Sequence, residues 1–116
     1  LNIGHMANSY ARELSGGQKK LLELGRSIIT DPEILLLDEP LAGVNPKLSE
    51  EILEIILNLS KNGISILMVE HNIEAVMKIS ERVIVFAEGK VIADDIPENV
   101  RTDKKVIEAY LGSENE

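Results

Sequence analysis

Apolar residues recur along this chain in two rhythms. From Ser15 to about Thr30 they return at steps of three and four, with Leu21, Leu22, Gly25, Ile28 and Ile29 on one face, which predicts an amphipathic helix. Ser15 and Gln18 have the Ser-x-x-Gln spacing of a capping box at its start. Asp31-Pro32 ends it, because the residue before proline is biased away from helix. Ile34-Leu35-Leu36-Leu37 is then an unbroken apolar run, which predicts a parallel strand buried on both faces. The helical step returns at Leu48, Ile52, Ile55, Ile56 and Leu59. Asn45-Pro46 opens that segment as a cap followed by a first-turn proline, and Asn62-Gly63 closes it. Ile64 to Val69 predicts a second buried strand, and residues 72–80 a short helix. Arg82–Ala87 and Lys90–Ala93 predict a hairpin joined across Glu88-Gly89. Pro97 opens a terminal helical region that ends near Leu111-Gly112, and residues 1–12 form a short mixed segment with helical character.

Strand, helix, strand and helix at this spacing predict an α/β fold with parallel core strands. Ligands of such sheets sit beyond the carboxyl ends of the strands. Asp38-Glu39 and Glu70-His71 lie just there, at the ends of the two apolar runs, and are expected to converge on one edge.

Composition narrows the picture. The 116 residues allow one domain with a modest core. With aromatics at 3%, that core must be built from Ile, Leu, Val and Met. A net charge of −8 argues against a nucleic-acid surface, which requires clustered Lys and Arg. The absence of cysteine removes disulfides, thiol catalysis and thiolate zinc sites. No apolar run approaches the roughly 20 residues needed to cross a bilayer. Residues 1–12 do not follow the charged-then-apolar order of a signal peptide.

Several short stretches carry candidate chemistry, each with a plainer alternative. Asp38 and Glu39 are adjacent carboxylates past a buried strand, an arrangement that is costly unless a cation offsets it. One can hold Mg²⁺ while the other orients and deprotonates an attacking water; the pair also suits an ordinary charged turn. Ser15-Gly16-Gly17 at a helix start exposes backbone N–H groups in the positive field of the helix dipole, where a phosphate can sit. The same three residues also suit a simple capping turn. His71 at the second strand end can face a phosphate or steady the carboxylate of Glu39, although a lone histidine is more often structural. Gly89-Lys90 fails the phosphate-loop pattern G-x-x-x-x-G-K-[ST], as does every other glycine in the chain.

Taken in order, these residues resemble the C-terminal half of an ATP-binding-cassette transporter ATPase. Leu14-Ser15-Gly16-Gly17-Gln18 resembles the family's signature motif, and Ile34 to Glu39 its Walker B strand with the catalytic Glu. Ala42-Gly43-Val44-Asn45 is similar to its D-loop, and His71 to its switch histidine. Within the family, Asp-Glu-Pro-Leu-Ala-Gly-Val-Asn-Pro (38–46), Glu-His-Asn (70–72) and Val-Ile-Glu-Ala-Tyr-Leu-Gly (106–112) look most like the ATPases of branched-chain amino acid importers. Asn45 stands where many members carry Asp.

The resemblance implies a partial P-loop NTPase fold. Residues 1–30 would be the remainder of a helical subdomain with the signature motif, 31–96 the second half of the ATPase core, and 97–116 a helical tail. It implies Glu39 and His71 as catalytic residues, Asp38 as the Mg²⁺ ligand, and Leu14, Ser15, Gly16, Gly17, Gln18 and Asn45 as contacts to ATP. The expected partners are a second ATPase subunit and transmembrane permease subunits, which place the protein on the cytoplasmic face of the membrane, with no nucleic acid. The phosphate loop, the Gln-containing loop and the adenine-stacking aromatic would lie upstream of Leu1. On that expectation the chain by itself binds ATP weakly, does not hydrolyse it, and self-associates through sheet edges left without flanking strands. The alternatives are a lipopolysaccharide-export ATPase, a non-transport cassette ATPase, and a non-catalytic assembly module.

Overall fold

The structure is a computed structural model that describes residues 16–111. The mixed segment 1–12, Leu14 and the Ser15 capping position lie outside the described residues. The chain divides into two compact units, with the boundary between His71 and Asn72.

The first unit runs α1 (Gly16–Ile29), β1 (Ile34–Asp38), α2 (Pro46–Lys61) and β2 (Ser65–Val69). The two strands pair in parallel, from Ile34 opposite Ser65 to Asp38 opposite Val69. A parallel pair cannot be closed by a tight turn, so a helix must carry the chain back, and α2 is that crossover. Its start follows from its sequence. The Asn45 side chain accepts the Leu48 N–H at 2.9 Å, and Pro46 occupies the first turn. At its far end Asn62 caps the helix and Gly63, at φ +97°, releases the chain toward β2. Leu21 and Leu24 of α1, Leu35 of β1, Leu41, and Ile52, Leu53 and Ile56 of α2 are buried. Leu53, outside the expected stripe, is buried more deeply than Ile55.

The expectation of strands buried on both faces is corrected. Leu35 is buried and Leu37, Ile66 and Met68 are half-buried, whereas Ile34, Leu36, Leu67 and Val69 are 55–70% exposed. Alternate residues of a strand point to opposite faces. Among the described residues, one face of this two-stranded sheet is covered and the other is open.

The second unit runs α3 (Ile73–Ile79), β3 (Val83–Ala87), β4 (Lys90–Asp95), α4 (Pro97–Arg101), α5 (Lys104–Val106) and a π-helical turn at Ile107–Leu111. Asn72 caps α3 by accepting the Ala75 N–H. The antiparallel hairpin turns at Glu88 and Gly89, both with positive φ, as a two-residue turn compatible with strand twist requires. Across its open end the Arg82 guanidinium makes two hydrogen bonds to the Asp94 carboxylate, at 2.7 and 2.6 Å. Val83, Val100 and Val106 form the core of this unit, with Val76, Met77, Val85, Ile92 and Ala93 packed around them. Tyr110 donates its hydroxyl to the Phe86 carbonyl. No helix among the described residues is long and apolar enough to cross a membrane.

Candidate functional site at the carboxyl ends of the parallel strands

The register that sets Asp38 opposite Val69 brings the residues after both strands together. Glu39 prolongs the ladder by one hydrogen bond, its N–H reaching the Val69 carbonyl at 2.7 Å. The backbone then turns sharply, with Glu39 at φ +47° just before Pro40. A left-handed conformation at a non-glycine residue costs on the order of 1–3 kcal/mol and persists only where its surroundings impose it. Here the Glu39 carbonyl accepts the Ala42 N–H at 3.1 Å and the Lys20 ammonium at 3.3 Å. The result aims the Glu39 carboxylate at the end of β2, where it lies 2.7 Å from His71 Nε2. The ring is 83% exposed and the carboxylate 40%, so the pair meets solvent and is accessible to a ligand. Glu39 and His71, expected from the sequence to lie at one edge, are therefore in contact.

Two further residues hold this turn, and the sequence reading gave neither a role. Glu70 accepts the Leu41 N–H on Oε2 and the His71 N–H on Oε1, both at 3.1 Å. Lys20, one turn into α1, reaches the Glu39 carbonyl. Both act on backbone atoms, which leave no residue-type pattern to read. The only available signal was the placement of Glu70 at the strand end.

The start of α1 is held against the start of α2. Gly17 is buried, and a Cβ there would overlap Leu48 Cδ2 and come within 3.2 Å of Leu48 Cγ, with Val44 Cγ1 also close. Glycine at this position thus allows two segments to approach, a packing reason alongside the expected phosphate contact. Gly16 begins the helix, and Gln18 is half-buried. Asn45 uses its side-chain oxygen to cap α2. Leu14 and Ser15 lie outside the described residues.

Asp38 ends β1 with an exposed side chain. It borders a cleft of about 170 Å³ whose lining also includes Lys20, Glu23, Ser27 and Leu36. Pockets that take small-molecule ligands measure roughly 300–1,000 Å³, so this cleft is smaller than one that encloses ATP. No group of three or more His, Cys, Asp or Glu able to hold a metal ion occurs among the described residues. A single carboxylate still fits Mg²⁺, which is commonly held by one or two carboxylates together with water and substrate phosphates.

Comparisons with known proteins give a consistent picture. A family model described as ABC transporter matches residues 1–42, and one described as branched-chain amino acid ATP-binding cassette transporter matches residues 90–116. The chain is 44% identical over 115 residues to a probable branched-chain amino acid transport ATP-binding protein of Archaeoglobus fulgidus, covering 99% of this chain and 45% of that protein. It is 36% identical over 113 residues to the lipopolysaccharide export system ATP-binding protein of Haemophilus influenzae, covering 97% of this chain and 47% of that protein. Among solved structures, the ADP conformation of an ATP-binding cassette of an ABC transporter superposes with a TM-score of 0.85 at 38% identity, over 96% of this chain and 45% of that one. The chain thus spans a little under half the length of these relatives.

Proposed function

The chain belongs to the ATP-binding-cassette family of transporter ATPases, and from that premise we propose that it is the C-terminal half of an ATPase subunit driving import of branched-chain or other hydrophobic amino acids. The observation that carries the catalytic part is the contact between Glu39 and His71 at 2.7 Å, at the carboxyl ends of parallel strands. Glu39 is the base that accepts a proton from the water attacking the γ-phosphate of ATP. His71 holds that carboxylate in place and presents its exposed ring toward the phosphate. Asp38 would hold the Mg²⁺ of MgATP, whose chemistry there is to neutralise charge on the phosphate oxygens.

The signature segment Leu14-Ser15-Gly16-Gly17-Gln18 and the Asn45 loop face a nucleotide shared with a second ATPase subunit. The phosphate loop, absent from these 116 residues, would come from the nucleotide-binding half of the full-length protein. Membrane attachment runs through permease subunits on the cytoplasmic side.

The amino acid cargo is supported by the branched-chain transporter model over residues 90–116 and by 44% identity to a protein named for that transport. Lipopolysaccharide export is the second reading, supported by a relative at 36% identity.

The test is ATP hydrolysis by the full-length ATPase and its Glu39→Gln variant. The amide keeps the shape and loses the base. Turnover is expected to fall by about a hundredfold or more while ATP binding persists and a closed, ATP-bound dimer accumulates. Near-normal hydrolysis by Glu39→Gln would remove Glu39 from the role of base. Uptake assays with branched-chain amino acids against lipopolysaccharide transport separate the two cargo readings.

A further inference from the structure

Resting on the ATPase reading above, we infer that Glu70 is a positioning residue whose carboxylate clamps the turn after β1 to the end of β2 and so sets the geometry of the Glu39–His71 pair. The Glu39–His71 contact spans two chain segments through side chains that are 40% and 83% exposed. A contact between exposed polar side chains contributes at most about 1 kcal/mol, even as a full ion pair, and does not by itself hold two segments in register. Glu70 joins the same two segments at the backbone. Its Oε2 takes the N–H of Leu41, two residues beyond Glu39, and its Oε1 takes the N–H of His71 itself.

Each end of the clamp is anchored. Leu41 is buried at 6% exposure, so a hydrogen bond to its N–H fixes the turn against the core. Glu70 is half-buried and follows β2 directly, on the residue after Val69, whose carbonyl receives the Glu39 N–H. Hydrogen bonds that backbone N–H groups donate to a carboxylate are about twice as strong as neutral ones. Lys20 holds the Glu39 carbonyl from the α1 side, so the left-handed Glu39 is fixed before and after its own side chain. Removing the carboxylate leaves the Leu41 and His71 N–H groups without this acceptor and frees the turn to relax. Small displacements of a catalytic base are costly: about 1 Å can lower rate a hundredfold. Among the described residues the Glu70 carboxylate is engaged by the Leu41 and His71 N–H groups, so its effect is expected on turnover rather than on nucleotide affinity.

The experiment compares Glu70→Ala and Glu70→Gln in the full-length ATPase by steady-state kinetics, and follows the Leu41 and His71 backbone amides by NMR. Glu70→Ala is expected to lower kcat by about tenfold or more while KM for ATP changes by less than about twofold. Glu70→Gln retains one acceptor oxygen and is expected to fall between wild type and Glu70→Ala. In Glu70→Ala both amide resonances should shift and exchange faster with solvent. A kcat within about twofold of wild type, or a loss carried entirely by KM or by melting temperature, overturns the inference. Where Glu70→Ala does not fold, the isosteric Glu70→Gln decides through the same amides. If the wild-type protein does not hydrolyse ATP, or does so regardless of Glu39, the ATPase reading fails. The amide measurement then judges the clamp separately, and unmoved Leu41 and His71 resonances would refute it.

Discussion

Glu39 concentrates the behaviour of this site in one residue. Its backbone is held at φ +47° by hydrogen bonds on both its N–H and its carbonyl, and its side chain meets His71. Its neighbour Asp38 has an ordinary place at the end of a strand and an exposed carboxylate. Adjacent carboxylates are thus sent to different places by one backbone turn. On the proposed Mg²⁺ role of Asp38, replacing it by Asn removes the charge that would favour the ion and leaves the Glu39 turn intact. Activity of the full-length Asp38→Asn variant is expected to require about tenfold more Mg²⁺ for half-saturation, read from hydrolysis rates across a Mg²⁺ titration. An unchanged Mg²⁺ response would contradict the assignment. Asp38, Glu39 and His71 could be singled out in the sequence because carboxylates and imidazole at strand ends are unusual residue types in a recognisable place. Glu70 could be placed at the strand end but given no role, and Lys20 could not be singled out, because their partners are backbone atoms whose positions exist only once the strands have paired.

At the scale of elements, helix ends follow local chemistry. Asn45 caps α2 through its side-chain oxygen, as Asn-Pro before an apolar stripe predicts. Asn45→Ala is expected to destabilise the protein by roughly 0.5–2 kcal/mol, measured by urea denaturation, while Asn45→Asp keeps the cap and should leave the midpoint nearly unchanged. A full loss of stability in Asn45→Asp would show that the amide nitrogen, not the capping oxygen, is what matters.

The hairpin carries a different kind of prediction. The hydrogen bond from Arg82, with its charge, holds the Asp94 carboxyl below the usual aspartate range, and Asp94 in turn holds the Arg82 guanidinium above its own. A carboxyl whose folded value is depressed contributes stability above its unfolded value and loses it as pH falls through the folded one. Arg82→Gln should therefore melt slightly below wild type at neutral pH, and the gap should close in strongly acidic buffer. A gap that persists in acid would mean that packing by the Arg82 stem, not the ion pair, supplies the effect. The Glu88-Gly89 turn was readable from residue type; the shift of register between Val85 and Phe86 was not, because it is settled between the strands.

At the scale of the whole molecule, two compact units meet in sequence at His71 and Asn72, immediately after the residues that build the candidate site. The 116 residues contain no phosphate loop, and the cleft beside Asp38, at about 170 Å³, does not enclose a nucleotide. Calorimetric titration of the 116-residue chain with MgATP is expected to give a Kd of about 1 mM or weaker. Micromolar affinity would show that these residues suffice for a phosphate site. Sequence alone determined the order of helices and strands, the cap at Asn45, the Glu88-Gly89 turn and the family, because each depends on spacing and residue type within a few positions. It overstated the burial of Ile34, Leu36, Leu67 and Val69, because an unbroken apolar run records what a strand can bury, not which face receives a covering layer. Only the tertiary structure decided that the Glu39 carboxylate meets His71, that Gly17 makes room for Leu48, and that Glu70 ties the two strand ends together. Those contacts join residues distant in sequence, and parallel pairing with its α2 crossover is the physical step that brings them within reach.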